Sequence, residues 1–171
     1  MPGYQCNTCG AYHATLPTSY GAVAPDVWLA LPEAEREERA VLSSDQCIVD
    51  GHYFFILGRL EIPLNGEAEP FSWLVWVSLS KADFGRANEL WETAGREVEP
   101  PYDGWLCTSL PCYPSTLRLK VKVHTRPVGH RPFVELLPCD HPLYLEQRDG
   151  VDLTRVQALA EALMHAEGEM P

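Results

Sequence analysis

Two cysteines near the start of the chain have the spacing of a metal-binding turn. Cys6 and Cys9 are separated by two residues, Gly10 follows directly, and the aromatic Tyr4 precedes them. Two thiolates at this spacing can bind one Zn²⁺, and a glycine after them can adopt the positive φ that closes the turn. The pattern is typical of half a zinc ribbon. The alternatives are two reduced cysteines without a ligand, or a redox pair, which is disfavoured because such a pair normally joins a strand to a helix.

We call the turn that contains Cys6 and Cys9 the knuckle. Its remaining zinc ligands must come from other parts of the chain, because no second Cys-x-x-Cys pair exists. His13 is the nearest third ligand. The fourth could be any of six later residues: Cys47, His52, Cys107, Cys112, Cys139 or His141. Four protein ligands would make a closed structural site, whereas three ligands and a water could support hydrolysis. No His-Glu-x-x-His or His-x-Glu pattern supplies a general base, so we expect the zinc to be structural.

A second feature is a run of basic residues at alternate positions. The segment 104–134 contains no acidic residue, and its basic side chains would share one face of a strand. Such a face could bind a small anion or an acidic segment of a partner. The alternative is an ordinary solvated face whose charges pair with the chain's surplus acids. The predicted anion-binding residues are Arg118, Lys120, Lys122 and Arg126.

Catalytic chemistry has weaker support. Asp140 and His141 are adjacent, and a histidine–carboxylate pair can orient a general base, but it can equally hold a loop to a sheet. No nucleophile elbow and no glycine-rich phosphate loop occurs. We therefore assign no catalytic residue and interpret His52 and His165 as structural side chains on a strand and a helix surface.

The elements that must position these residues alternate between helices and strands. Hydrophobic periodicity predicts helices over 32–42, 80–94 and 153–166, and strands over 47–49, 52–62, 71–79, 104–110, 116–125 and 132–137. Short loops between strands favour antiparallel pairing. We predict an α+β fold in a single domain, with a mainly antiparallel sheet and flanking helices. Residues 1–24 would form the knuckle and a loop packed on the main domain, residues 25–171.

Composition limits the classes of partner. The 171 residues include 13 basic and 24 acidic ones, which gives a net charge of −11. This acidity argues against nonspecific binding to nucleic acid or to an anionic membrane surface. No signal-peptide pattern is visible, and the apolar run 73–77 is far too short to cross a bilayer. We expect a cytoplasmic, reducing location, in which cysteines serve as ligands or buried thiols rather than disulfides.

Several strings resemble a bacterial family of uncharacterised proteins known as domain of unknown function 2199. They include the knuckle with His13 and a following Leu-Pro, and further strings at 44–50, 60–63, 75–80, 104–106, 123–129 and 140–143. The resemblance spans nearly the whole chain and implies one intact bacterial domain. It implies no established activity, and it points to Cys6, Cys9, His13 and Cys47 as the zinc ligands.

Together these features predict a small bacterial binding or interaction module with structural zinc. A basic protein partner would suit its charge, and its aromatic residues would allow a homodimer. The alternatives are a zinc-dependent hydrolase-like enzyme and a small-anion sensor that uses the cationic strand face.

Overall fold

The computed structural model describes residues 3–168 and contains ten strands and five α-helices within that range. In chain order the strands are β1 Tyr4–Gln5, β2 Tyr12–His13, β3 Ser19–Gly21, β4 Ala40–Leu42, β5 Gln46–Val49, β6 Tyr53–Ile62, β7 Phe71–Leu79, β8 Tyr102–Leu106, β9 Lys120–His124 and β10 Phe133–Leu136. The helices are α1 Asp26–Leu29, α2 Arg36–Arg39, α3 Lys81–Glu89, α4 Pro142–Asp149 and α5 Leu153–Gly168. Short 3₁₀ turns cover Glu33–Glu35 and Arg96–Val98.

Five strands close into a barrel at the centre of the molecule. Strands β6, β7, β8, β9 and β10 pair in that order, each antiparallel to the next. Strand β10 then returns to β6 through a parallel pairing of Phe133 with Arg59, which closes the ring. Closure removes most of the free strand edges that an open sheet would leave. The first residues of β6 also pair with β5, which pairs in turn with β4, while β3 pairs in parallel with β7.

The α+β class and the helices on the sheet are confirmed, whereas the mainly antiparallel sheet is only partly matched. The pairings β3–β7 and β10–β6 are parallel, and they join strands that lie 50 or more residues apart in sequence. Loop length predicts only how neighbouring strands pair, so it did not predict the barrel closure.

One predicted helix was wrong and one helix was not predicted. The expected helix over 32–42 is a 3₁₀ turn, the single turn of α2 and then strand β4. Residues 142–149, where we predicted neither a helix nor a strand, form helix α4, with Pro142 at its first position. Proline is favoured there because the first helical N–H needs no partner, and the sequence contained that signal. Strand β7 occupies the predicted range 71–79.

The core is divided between the two faces of the barrel wall. The interior cluster includes inward side chains of all five barrel strands, together with Tyr4, Cys6, Leu16 and three residues of α5 (Val156, Leu159 and Ala160). A second cluster lies on the outer face of β5, β6 and β7 and contains Leu31, Cys47, Val49, Phe55, Leu57 and Trp76. Within residues 3–168, no helix combines the length and the apolar character that a membrane crossing requires.

Candidate metal centre

A short hairpin positions the knuckle residues. Strands β1 and β2 pair antiparallel, with Tyr4 opposite His13. The turn between them is tightened by two backbone hydrogen bonds: the N–H of Cys6 donates to the carbonyl of Ala11 at 2.9 Å, and the N–H of Gly10 donates to the carbonyl of Cys6 at 3.0 Å. Gly10 has a φ of 76°, the left-handed conformation that glycine adopts without steric cost.

This hairpin brings three metal-ligating groups together. The sulfurs of Cys6 and Cys9 and a ring nitrogen of His13 all lie within 4.8 Å of one another. The Sγ of Cys9 is 3.6 Å from Nε2 of His13. Within the described part of the chain, no other group of three His, Cys, Asp or Glu side chains is as compact. Thiolate sulfur and imidazole nitrogen are the donors that Zn²⁺ binds most often in proteins, so this set of residues fits zinc.

Cys6 has an environment that favours its thiolate. Its side chain is buried, and the backbone N–H of Cys9 points at its sulfur at 3.5 Å. This N–H, together with the His165 ring and the N–H of Thr8, lowers the pKa of Cys6 to about 6, against the opposing effect of desolvation. The thiolate is the form that binds metal, so the hairpin favours the form of Cys6 that could act as a ligand.

A histidine from the opposite end of the described chain touches the same sulfur. Nε2 of His165, on α5, lies 3.3 Å from the Sγ of Cys6. The same helix makes two further contacts to the hairpin: Nε2 of Gln157 donates to the carbonyl of Gln5 at 2.9 Å, and Glu161 accepts the N–H of Asn7 at 2.9 Å. That N–H and the Gln157 amide lower the pKa of Glu161.

Sequence reasoning did not find His165 as a candidate ligand. It interpreted this histidine as a structural residue on a helix surface. The only signal was local: Gln157, Glu161 and His165 recur every four residues and so share one polar face of α5. Nothing in that spacing indicates that the face packs against the knuckle.

The structure places Cys47 away from the cluster. Cys47 lies on β5, opposite Phe55 of β6, in the second cluster on the outer face of the barrel. Burial raises its pKa to about 11. The three knuckle residues of the predicted ligand set are therefore brought together, and Cys47 is not among them.

The remaining cysteines and His141 are dispersed or engaged away from the knuckle. Cys112 and Cys139 are exposed, and the thiol of Cys107 donates to the carbonyl of Trp105. His141 caps α4: its Nδ1 accepts the N–H of Leu143 at 3.0 Å, and its Nε2 lies 3.1 Å from the carbonyl oxygen of Ser115. Both ring nitrogens are thus engaged in contacts that hold this segment, so the ring is not a free base.

The predicted cationic strand face forms only in part. Lys120 and Lys122 share the outer face of β9, but Arg118 lies outside the strand in a turn, with a φ of 67°. Lys122 pairs with Asp103, Arg126 pairs with Glu61, and the ammonium group of Lys120 lies 5.3 Å from the centre of the Trp105 ring. The structure thus supplies acidic partners for this face, as expected for an ordinary solvated face.

A cavity that shares Arg126 with the strand face also collects positive charge. It has a volume of about 730 Å³, and its lining includes two acidic residues, Asp45 and Glu92, and four arginines, Arg59, Arg96, Arg126 and Arg131. Arg126 and Arg131 pair with carboxylates, whereas Arg59 donates to the Ser72 hydroxyl and Arg96 donates to backbone carbonyls. The hydroxyl of Tyr102, which also lines the cavity, is buried and has no hydrogen-bond partner among the described residues.

Comparison with known proteins agrees with the resemblance seen in the sequence. Residues 5–151 match the family model described as "Uncharacterized protein conserved in bacteria (DUF2199)". The chain matches no curated protein and no solved structure. The matched range includes Cys6, Cys9, His13 and the whole barrel. Because the match covers most of the chain, the protein belongs to the DUF2199 family of bacterial proteins.

Proposed function

We propose that this protein is a small binding module that holds one Zn²⁺ in its N-terminal hairpin, and that the metal is structural. The proposal is carried by one observation, the approach of Cys6, Cys9 and His13 to within 4.8 Å of one another. The donors are soft and borderline ligands, and the hairpin contains the glycine turn that such sites use.

A structural role follows from the size of the hairpin. Each of its strands has only two residues, and a hairpin this short is not stable by itself in water. Metal binding to such an element supplies folding free energy directly. A hydrolytic role has less support, because Glu161 accepts the N–H of Asn7 and His141 caps a helix, so neither group is free to act as a base.

Metal analysis tests the proposal. Untagged protein, purified without chelators, should contain about one zinc per chain by inductively coupled plasma mass spectrometry. The double variant Cys6→Ser/Cys9→Ser should contain none. The matched control is Cys112→Ser/Cys139→Ser, which removes two exposed thiols outside the cluster and should keep the zinc. Zinc-free wild type, or equal zinc in both double variants, would contradict the proposal.

A second candidate function is the binding of a small anion in the arginine-lined cavity. It is favoured by Arg59 and Arg96, which pair with no carboxylate in the described residues, and by the unpartnered hydroxyl of Tyr102. Arginine recognises phosphate and carboxylate through paired N–H donors, and a cavity of this size suits a small molecule. This candidate moves the predicted anion site from the strand face to the cavity.

Thermal denaturation with inorganic phosphate or malonate distinguishes the two locations. We expect millimolar anion to raise the Tm of the wild type, and Arg59→Gln to abolish the rise. The control is Lys120→Gln/Lys122→Gln, which changes the strand face and should keep the rise. The opposite pattern would assign the anion to the strand face, and no rise in any protein would refute both sites.

A further inference from the structure

We propose that His165 is the fourth zinc ligand, so that the metal ion joins the N-terminal hairpin to the last helix, α5. The inference rests on the proposed zinc site and extends it. It makes the shell a closed Cys₂His₂ set formed by Cys6, Cys9, His13 and His165.

Two ligand pairs already have the separation that a tetrahedral zinc shell requires. With Zn–S of about 2.3 Å and Zn–N of about 2.0 Å, sulfur and nitrogen at two corners of a tetrahedron are about 3.5 Å apart. The Sγ of Cys6 is 3.3 Å from Nε2 of His165, and the Sγ of Cys9 is 3.6 Å from Nε2 of His13. Each sulfur therefore has one imidazole nitrogen at the distance of a shared metal, and His165 lies beside the group of three whose members are all within 4.8 Å of one another, in contact with its Cys6.

The helix is held in position to supply this ligand. Gln157, Glu161 and His165 are spaced by four residues, and all three contact the hairpin, at Gln5, Asn7 and Cys6 respectively. Side chains four residues apart lie one above the other on a helix face. The opposite side of α5 is anchored independently, because Val156, Leu159 and Ala160 are buried in the same core cluster as Cys6.

A fourth protein ligand has two consequences. It leaves no coordination position for water, so the ion is structural and the hydrolase alternative loses its reactive site. It also closes a loop that runs from residue 6 to residue 165, which contains nearly the whole barrel. Cross-links that close long loops remove the most freedom from the unfolded chain, so the ion should stabilise the entire domain and not the hairpin alone.

X-ray absorption spectroscopy at the zinc edge tests the proposal on the full chain. The wild type should show two sulfurs and two imidazoles, because histidine rings give a distinct multiple-scattering signal. His165→Asn should retain one imidazole and bind zinc at least about 100-fold more weakly, since loss even of a group that only supports a ligand costs about 10–100-fold. The control Gln157→Ala removes a hydrogen bond between the same helix and hairpin and should keep both imidazoles.

The variant His165→Cys provides a second measurement in case the amide variant does not fold. It should change the shell to three sulfurs and one imidazole. A wild-type spectrum with a single imidazole, or two imidazoles retained in His165→Asn, would overturn the role of His165 and leave the zinc site in place. A wild type without zinc would overturn the zinc site as well.

Discussion

Two buried cysteines in this protein have opposite chemistry. Cys6 in the hairpin and Cys47 on β5 are each 1% exposed. The pKa of Cys6 is lowered to about 6, whereas that of Cys47 is raised to about 11. Exposure to solvent therefore does not explain why the pKa values of these two thiols differ.

The difference lies in the polar groups that face each sulfur. Cys6 receives the backbone N–H of Cys9 and the ring of His165, and these groups stabilise its negative charge. Cys47 packs among apolar side chains of the second cluster, where desolvation alone acts on its pKa. A free cysteine in such surroundings behaves as a small hydrophobic residue. The same residue type thus has a lowered pKa in one region and serves as a packing element in the other.

Removal of metal should give the largest contrast between the two regions. With free zinc at about 1,000 times its Kd, chelation should lower the free energy of unfolding by about 4 kcal/mol, because the ion binds the folded state. Urea denaturation with and without chelator measures the difference. Chelator should lower the free energy of unfolding of Cys47→Ala by as much as that of the wild type. It should leave the free energy of unfolding of Cys6→Ser unchanged. An equal effect of chelator on Cys6→Ser would contradict the assignment of this ligand.

A buried hydroxyl at position 47 should have the next largest effect. Cys47→Ser should lower the free energy of unfolding by about 1–3 kcal/mol, since the apolar cluster offers the hydroxyl no partner. Cys47→Ala should cost less than Cys47→Ser, and both variants should keep the zinc content of the wild type. Loss of zinc in either variant would return Cys47 to the ligand set that the family resemblance implies.

The raised pKa of Cys47 predicts a pH dependence of thiol alkylation. Since the neutral thiol is favoured in the folded state, alkylation of Cys47 by iodoacetamide should rise about tenfold per pH unit up to about pH 11. Folded-state stability linked to this thiol is present below its unfolded pKa of about 9 and is lost as the pH rises towards 11. Mass spectrometry of the labelled peptide measures the rate. An alkylation rate that stops rising near pH 8 would show that burial does not raise the pKa of the Cys47 thiol.

The smallest effect is expected at Cys107, at the margin of the second cluster. Its thiol is half-buried and donates to the carbonyl of Trp105 at 3.5 Å, a bond that a serine hydroxyl can also make. Cys107→Ser should therefore cost less than about 1 kcal/mol in urea denaturation, clearly below Cys47→Ser. If Cys107→Ser lowered the free energy of unfolding more than Cys47→Ser, burial in the second cluster would not determine how much each thiol contributes to stability.

Local patterns predicted part of the fold and part of the site. Strand β7 lies where periodicity placed it, and helix α3 begins after its cap Ser80 as predicted but ends at Glu89, short of the predicted residue 94. Signals of this kind act within a few residues. The parallel pairing of β10 with β6 and the helix at 142–149 were missed. The pairing depends on residues far apart in sequence, and the helix lacked a strong apolar periodicity.

The sequence by itself determined that Cys6, Cys9 and His13 lie close together, because these residues and Gly10 are connected by a turn whose geometry is local. Only the tertiary structure decided the different environments of Cys6 and Cys47. In the folded chain, Cys47 lies on the outer face of the barrel. His165, which is 159 residues from Cys6 in sequence, contacts the sulfur of Cys6. Such long-range contacts follow from barrel closure and from the packing of α5 on the common core, which no spacing of residues along the chain records.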